Sequence, residues 1–181
     1  MPYYIPTGGS NETGALGYAA AALELLQQAK EAGIAIDRVL FATASGGTQA
    51  GLVVGMALAE ARLQVLGVDV EGEADILAAD VRRIVEACAR KVELPRALRD
   101  DATEICRGYA GPGYGVATPG MLEAVRLLAT LEGIVLDPVY SAKAMAGLID
   151  LVRSGHFARD ETIVFIHTGG MPAMFAYADH F

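Results

Sequence analysis

An α/β fold, of the layered α/β/α type with a mostly parallel sheet, is the class this sequence predicts. Three observations carry it. Strand-like and helix-like segments alternate along nearly all of the 181 residues. Apolar residues make up 53% of the chain, with 21 glycines, a composition that suits strands covered on both faces by helices. Two strand ends run into loops of small and hydroxylated residues, at the carboxyl edge where such sheets bind their ligands. The length suits one domain over residues 1–181.

Each element follows from local pattern. Residues 5–11 are rich in Pro and Gly and read as a loop. Residues 16–32 read as a helix with Leu16, Ala19, Ala20, Leu23 and Leu26 on one face and Gly33 as its stop. Residues 38–43 form a strand. Residues 48–62 form a helix that is apolar nearly all round and therefore buried. A buried strand follows at 63–70, then an amphipathic helix at 74–91 with its charges outward. Residues 95–101 connect to a short strand at 104–109. Three glycines and a proline between Gly111 and Gly115 forbid regular structure there. Thr118 and Pro119 open a helix as its cap and first residue, and it runs to about Thr130. Residues 133–136 are a short strand or an extended link. A helix at 141–153, a strand at 162–167 and a last short helix after Gly169-Gly170 complete the chain.

Composition narrows the function. A formal net charge of −8 argues against nucleic acid and against an anionic membrane surface. Cys88 and Cys106 match no metal or redox spacing and read as inert thiols in a reducing compartment. His156, His167 and His180 have no metal spacing. The start of the chain does not resemble a signal peptide, and no apolar stretch reaches membrane-spanning length. The expectation is a soluble, cytoplasmic protein.

The most informative stretch is Ala44-Ser45-Gly46-Gly47-Thr48. A buried strand enters it and a helix leaves it. Glycines let successive N–H groups converge, and the helix start adds partial positive charge, so the loop suits a phosphate. No Lys or Arg lies between Arg38 and Arg62, so backbone and hydroxyls would do the holding. The competing reading is an ordinary strand-to-helix turn capped by Thr48. Thr168 likewise reads as a ligand group or as the cap of the last helix. Ser10 and Asn11 read as caps of the first helix, with a cofactor role as the alternative that no other residue supports. Lys143 reads as a solvated or helix-start lysine.

Five motifs in order resemble one family: Ile5-Pro6-Thr7-Gly8-Gly9-Ser10-Asn11, the Ser-Gly-Gly-Thr loop, Gly111 to Gly115, Leu136-Asp137-Pro138-Val139-Tyr140-Ser141-Ala142-Lys143, and Phe165-Ile166-His167-Thr168-Gly169-Gly170. Together they are similar to the D-cysteine desulfhydrase and 1-aminocyclopropane-1-carboxylate deaminase family, pyridoxal 5'-phosphate (PLP) enzymes of the tryptophan-synthase-β fold type. The resemblance implies the large cofactor domain of such an enzyme, acting as a homodimer on a small amino acid. It implies PLP phosphate held by Ala44, Ser45, Gly46, Gly47 and Thr48. Family members often have Gly where Ala44 stands. It implies Thr168 at the pyridine nitrogen, and Tyr140 and Tyr114 as active-site tyrosines.

Family chains are nearly twice as long. The resemblance places their cofactor-bearing lysine, and the loop that holds the substrate carboxylate, before Met1. Lys30, Lys91 and Lys143 do not match that lysine's motif. The expectation is that this segment alone is inactive and self-associates through an exposed apolar edge. The pair Ser141 and Thr168 is similar to the desulfhydrase branch, because the deaminase branch has Glu after the tyrosine and an apolar residue at the Thr168 position. Gln49 pulls toward the deaminase, since desulfhydrases often have His there. The sequence therefore points first to β-elimination from D-cysteine, with cysteate as a related substrate. The deaminase and a non-catalytic phosphate-binding module stand as alternatives.

Overall fold

The computed structural model describes residues 2, 4–95, 98 and 104–181. Of the expected connector at 95–101, all but Pro95 and Leu98 lie outside them. Four parallel strands form the sheet: β1 (Arg38–Thr43), β2 (Gln64–Asp69), β3 (Ile105–Cys106) and β4 (Ile163–Phe165), in the order β3-β2-β1-β4. Val39 lies opposite Val65 and Val164, and Leu40 opposite Leu66 and Phe165. The outer strands are shorter than expected: β4 pairs over three positions and β3 over two. Residues 133–136 are an extended link and join no ladder among the described residues.

Alternation along the strands sends side chains to two layers. Val39, Phe41 and Val65 face α1 (Ala15–Ala32), α2 (Gly47–Leu58) and α3 (Ala74–Lys91). Leu40, Ala42, Leu66 and Val68 face α5 (Ser141–Arg153), which carries α4 (Pro119–Glu132) on its outer side through Met121, Ala124, Val125, Ala142 and Met145. This is the expected α/β/α layering.

The first helix turns a different face inward than side-chain size suggested. Ala15, Ala19 and Ala22 are buried, while Ala20 and Leu23 are exposed. The reason is a close approach of backbones. A Cβ on Gly51 would sit 2.2 Å from the Ala15 carbonyl oxygen, and one on Gly55 would sit 2.5 Å from that of Ala19. Only small residues fit such a seam, so leucines are pushed to its flanks.

Helix α2 stops at Leu58, short of the expected Arg62. Glu60 adopts a left-handed conformation (φ 58°), and the Ala61 amide donates back to the Met56 carbonyl. This is a helix-terminating turn made without glycine, which periodicity alone does not see. Helix α4 starts as expected: Thr118 Oγ1 accepts from the Met121 amide at 3.2 Å and Pro119 follows it. Both cysteines are free. Burial pushes the Cys106 thiol up to about 11, in keeping with an inert group. Among the described residues no helix is long and apolar enough to cross a membrane.

Candidate functional site

Strand β1 is followed by β2 on one side through α2, and meets β4 on the other side, which the chain reaches by way of α4 and α5. Strand order therefore reverses at β1, and a crevice opens at the carboxyl ends of β1 and β4. A cavity of about 340 Å³ lies there. Its lining includes Thr43, the whole Ala44–Thr48 loop, Tyr140 and Thr168. The five residues of the predicted loop thus share one space with Thr168 and Tyr140, which lie far from it in sequence. Tyr114 does not line it but reaches it indirectly, through a hydrogen bond between its hydroxyl and that of Tyr140.

The loop end of β1 is shaped by glycine. Gly46 has φ 80°, and a Cβ there would lie 2.9 Å from Val81 Cγ2 on α3. That conformation starts α2 at Gly47, not Thr48, so Thr48 is a first-turn residue and not the cap. The cap comes from elsewhere: Ser10 Oγ accepts from the Gly47 amide at 3.2 Å and donates to Ser45 Oγ at 2.7 Å. Ser10 therefore caps the second helix, while Asn11 Oδ1 takes the Thr13 and Gly14 amides ahead of the first. The next α2 amides, those of Thr48 and Gln49, have no acceptor among the described residues. They are the free donors of a helix start.

Thr168 does not cap the final 3-10 helix, Met171–His180, whose N-cap is Gly170 with no side-chain bond. Its hydroxyl is left to the cavity it lines. Gly170 has φ 88° and packs on Asp137, where a Cβ would come within 2.7 Å of the carboxyl carbon. Asp137 is fully buried, and its two oxygens accept from the amides of Val139, Tyr140 and Ser141 and from the Ser141 hydroxyl. This carboxylate fixes the start of α5 and with it Tyr140. The aspartate ahead of a helix was visible in the sequence, although its grip on Tyr140 was not read from it.

Lys143 corrects the reading of a solvated side chain. It lies at the start of α5 but is fully buried, and its Nζ donates to the carbonyls of Ala110 (2.6 Å) and Gly113 (2.9 Å). Burial lowers its pKa, opposed by the charge of Asp69. It thus ties the helix that follows Tyr140 to the glycine-rich loop that carries Tyr114. Tyr177 holds the same loop from its other end by donating to the Gly115 carbonyl. The two tyrosine rings meet edge-on, with centroids 5.7 Å apart. Burial, then the Tyr114 bond and the charges of Glu71 and Asp137, push the Tyr140 phenol well above the usual tyrosine range. It stays protonated at neutral pH.

Gln49 and Ser141 turn away from the cavity. Gln49 is buried and donates to the Glu104 carbonyl at 2.7 Å. The Ser141 hydroxyl is spent on Asp137. Among the described residues, no group of His, Cys, Asp or Glu could hold a metal ion, and no lysine lines the cavity.

The residues present fit a phosphorylated ring. The Ser45 side chain lines the cavity with its hydroxyl hydrogen unspent, the first-turn amide of Thr48 stands free, and no acidic side chain lines the space. Fold and site together define an α/β protein with a crevice suited to a phosphate-bearing ligand at a topological switch point. Residues 1–169 match the family of pyridoxal-phosphate dependent enzymes, and the chain belongs to that family. PLP is its cofactor. A solved structure of a 1-aminocyclopropane-1-carboxylate (ACC) deaminase homologue is 34% identical, with a TM-score of 0.88 over 99% of this chain and 52% of that one. Two threonine deaminases share the fold. The one from T.th. is 23% identical with a TM-score of 0.53, covering 85% of this chain and 57% of that one. The processed isoform 2 of Solanum lycopersicum is 14% identical with a TM-score of 0.55, covering 99% and 48%. The chain spans about half the length of these structures.

Proposed function

We propose that this chain supplies the cofactor-holding half of a PLP-dependent carbon–sulfur lyase, with D-cysteine and water giving pyruvate, ammonia and hydrogen sulfide. The observation that supports it most is the pairing of Thr168, which lines the cavity, with Ser141, which turns to Asp137. Bound PLP supplies the electron sink that lets an amino acid lose its α-proton and its β-substituent. The Ser45 hydroxyl and the Thr48 amide would hold the phosphate. Thr168, which lines the cavity, would offer the ring nitrogen a neutral hydroxyl. Unlike a carboxylate, it would not draw a proton onto that nitrogen, which would temper the sink and favour elimination over amino-group transfer. When the Cβ–S bond breaks, its electron pair goes to sulfur, and the protonated Tyr140 hydroxyl is the group at hand to supply a proton. Tyr114 joins that hydroxyl to the solvent side.

The product of the complete gene, assayed on D-cysteine and on ACC, tests this. Sulfide and pyruvate in equal amounts from D-cysteine support the reading. Ammonia from ACC, with no sulfide from D-cysteine, overturns it in favour of the deaminase, which the 34% identity to an ACC deaminase homologue favours. Gln49 no longer weighs on that choice, because it does not face the cavity. A third reading, a non-catalytic module, draws on the lack of a cavity-lining lysine. Borohydride treatment of the PLP-loaded complete protein decides it: a stable adduct at one lysine opposes the module, and PLP that washes away supports it.

A further inference from the structure

We infer that Ser10, which need not touch the ligand, is a positioning residue that turns the Ser45 hydroxyl into an obligate donor toward the cofactor phosphate. The inference rests on the phosphate-cradle reading above and deepens it. It follows from counting hydrogens along a chain of three groups. The Gly47 N–H can only donate, and it donates to Ser10 Oγ. Ser10 has one hydroxyl hydrogen, and it goes to Ser45 Oγ at 2.7 Å. Ser45 Oγ is thereby the acceptor of that bond. Its own hydrogen has no acceptor among the described residues, and Ser45 lines the cavity. The reverse direction would leave the hydrogen of Ser10, a buried side chain, without any acceptor. An arrangement that offers only donors suits an anion with no hydrogen to give, such as a phosphate dianion.

Two glycines show that the contact is built. A Cβ on Gly8 would stand 2.5 Å from Ser45 Oγ and 3.3 Å from Ser10 Oγ. A Cβ on Gly47 would stand 2.6 Å from Ser10 Oγ and 3.2 Å from Ser10 Cα. Both positions must lack a side chain for the two hydroxyls to meet. Gly8 also has φ 65°, and it lines the cavity beside Ser45.

The test uses inorganic phosphate as probe and amide NMR of the chain as readout, so no catalysis is needed. In the wild-type chain, phosphate should shift the Ser45 and Thr48 amides and leave Gly47, already bound to Ser10, nearly still. S45A should weaken binding by about tenfold, and S10A by nearly as much, as expected for one charge-assisted hydrogen bond. The S10A/S45A double variant should bind no more weakly than S45A alone. Should S10A bind phosphate as well as wild type or better, the freed Gly47 amide is serving the anion and the inference falls. A wild-type Gly47 amide that shifts most of all overturns it too, without reliance on any variant. Failure of the cradle reading looks different: the wild-type chain then shows no shift at these amides, or S45A binds as wild type does.

Discussion

The cradle and the tyrosine pair meet at one cavity but are held in opposite ways. The Ala44–Thr48 loop is fixed by lack of space. Gly46 lies against Val81, Gly47 against Ser10, and the helix behind it is seamed to α1 through Gly51 and Gly55. Tyr114 is 53% exposed, on a loop with little packing of its own. It is fixed by polar ties: Lys143 to two carbonyls, Tyr177 to a third, and the Tyr140 hydroxyl. Steric fixation leaves a backbone cradle no alternative geometry. Polar ties set a side chain's place while leaving it able to move, which suits a group that handles protons.

The contrast makes predictions of graded size. G46V should be the most damaging, because it forces a β-branched residue into left-handed backbone and a side chain against Val81. It should lower stability by about 2 kcal/mol or more in denaturant melts and abolish phosphate binding. K143M should come next. The buried Ala110 carbonyl and the part-buried Gly113 carbonyl lose their donor, at about 2 kcal/mol, yet phosphate affinity should stay within about twofold. A K143M chain that loses the cradle as well would show that the two regions are one unit.

How much of this was legible in the sequence divides along the same line. The order of strands and helices, the Thr118-Pro119 start and the loop at Ala44–Thr48 were legible, because local pattern determines them. The inward face of α1 was not, since it depends on glycines of α2. The cap on Gly47 was not, since Ser10 comes from 37 residues away. Lys143 read as solvated because its two acceptors lie on a loop some 30 residues earlier. These three misses are contacts between distant segments that no local period encodes; the early end of α2 is the local exception, a left-handed turn at Glu60.

Two smaller effects sharpen the comparison. Tyr109 immediately precedes the tied loop, with its ring against Gly147 and its hydroxyl on Asp150 at 2.9 Å. Burial, then that bond, push its phenol up to about 12. A raised value means the folded state holds the proton more firmly. This contribution is therefore whole below pH 10 and is lost as pH rises toward about 12. Melts across that window should show a steeper alkaline loss for wild type than for Y109F, and equal slopes would break the argument. Y114F should have the least effect on the fold, under about 1 kcal/mol, because its bond is half-exposed. It should leave phosphate binding unchanged and bring the Tyr140 phenol down toward the ordinary tyrosine value in a carbon-13 NMR titration.

Peptide dipoles and aliphatic hydroxyls do not titrate. A grip made of them keeps its strength across the whole range in which the protein stays folded, and salt weakens it little at such short range. Acidity dependence in how this loop takes up free phosphate should therefore come from the phosphate's own ionisation. The acidic exterior of this chain can be redecorated by evolution without retuning the pocket.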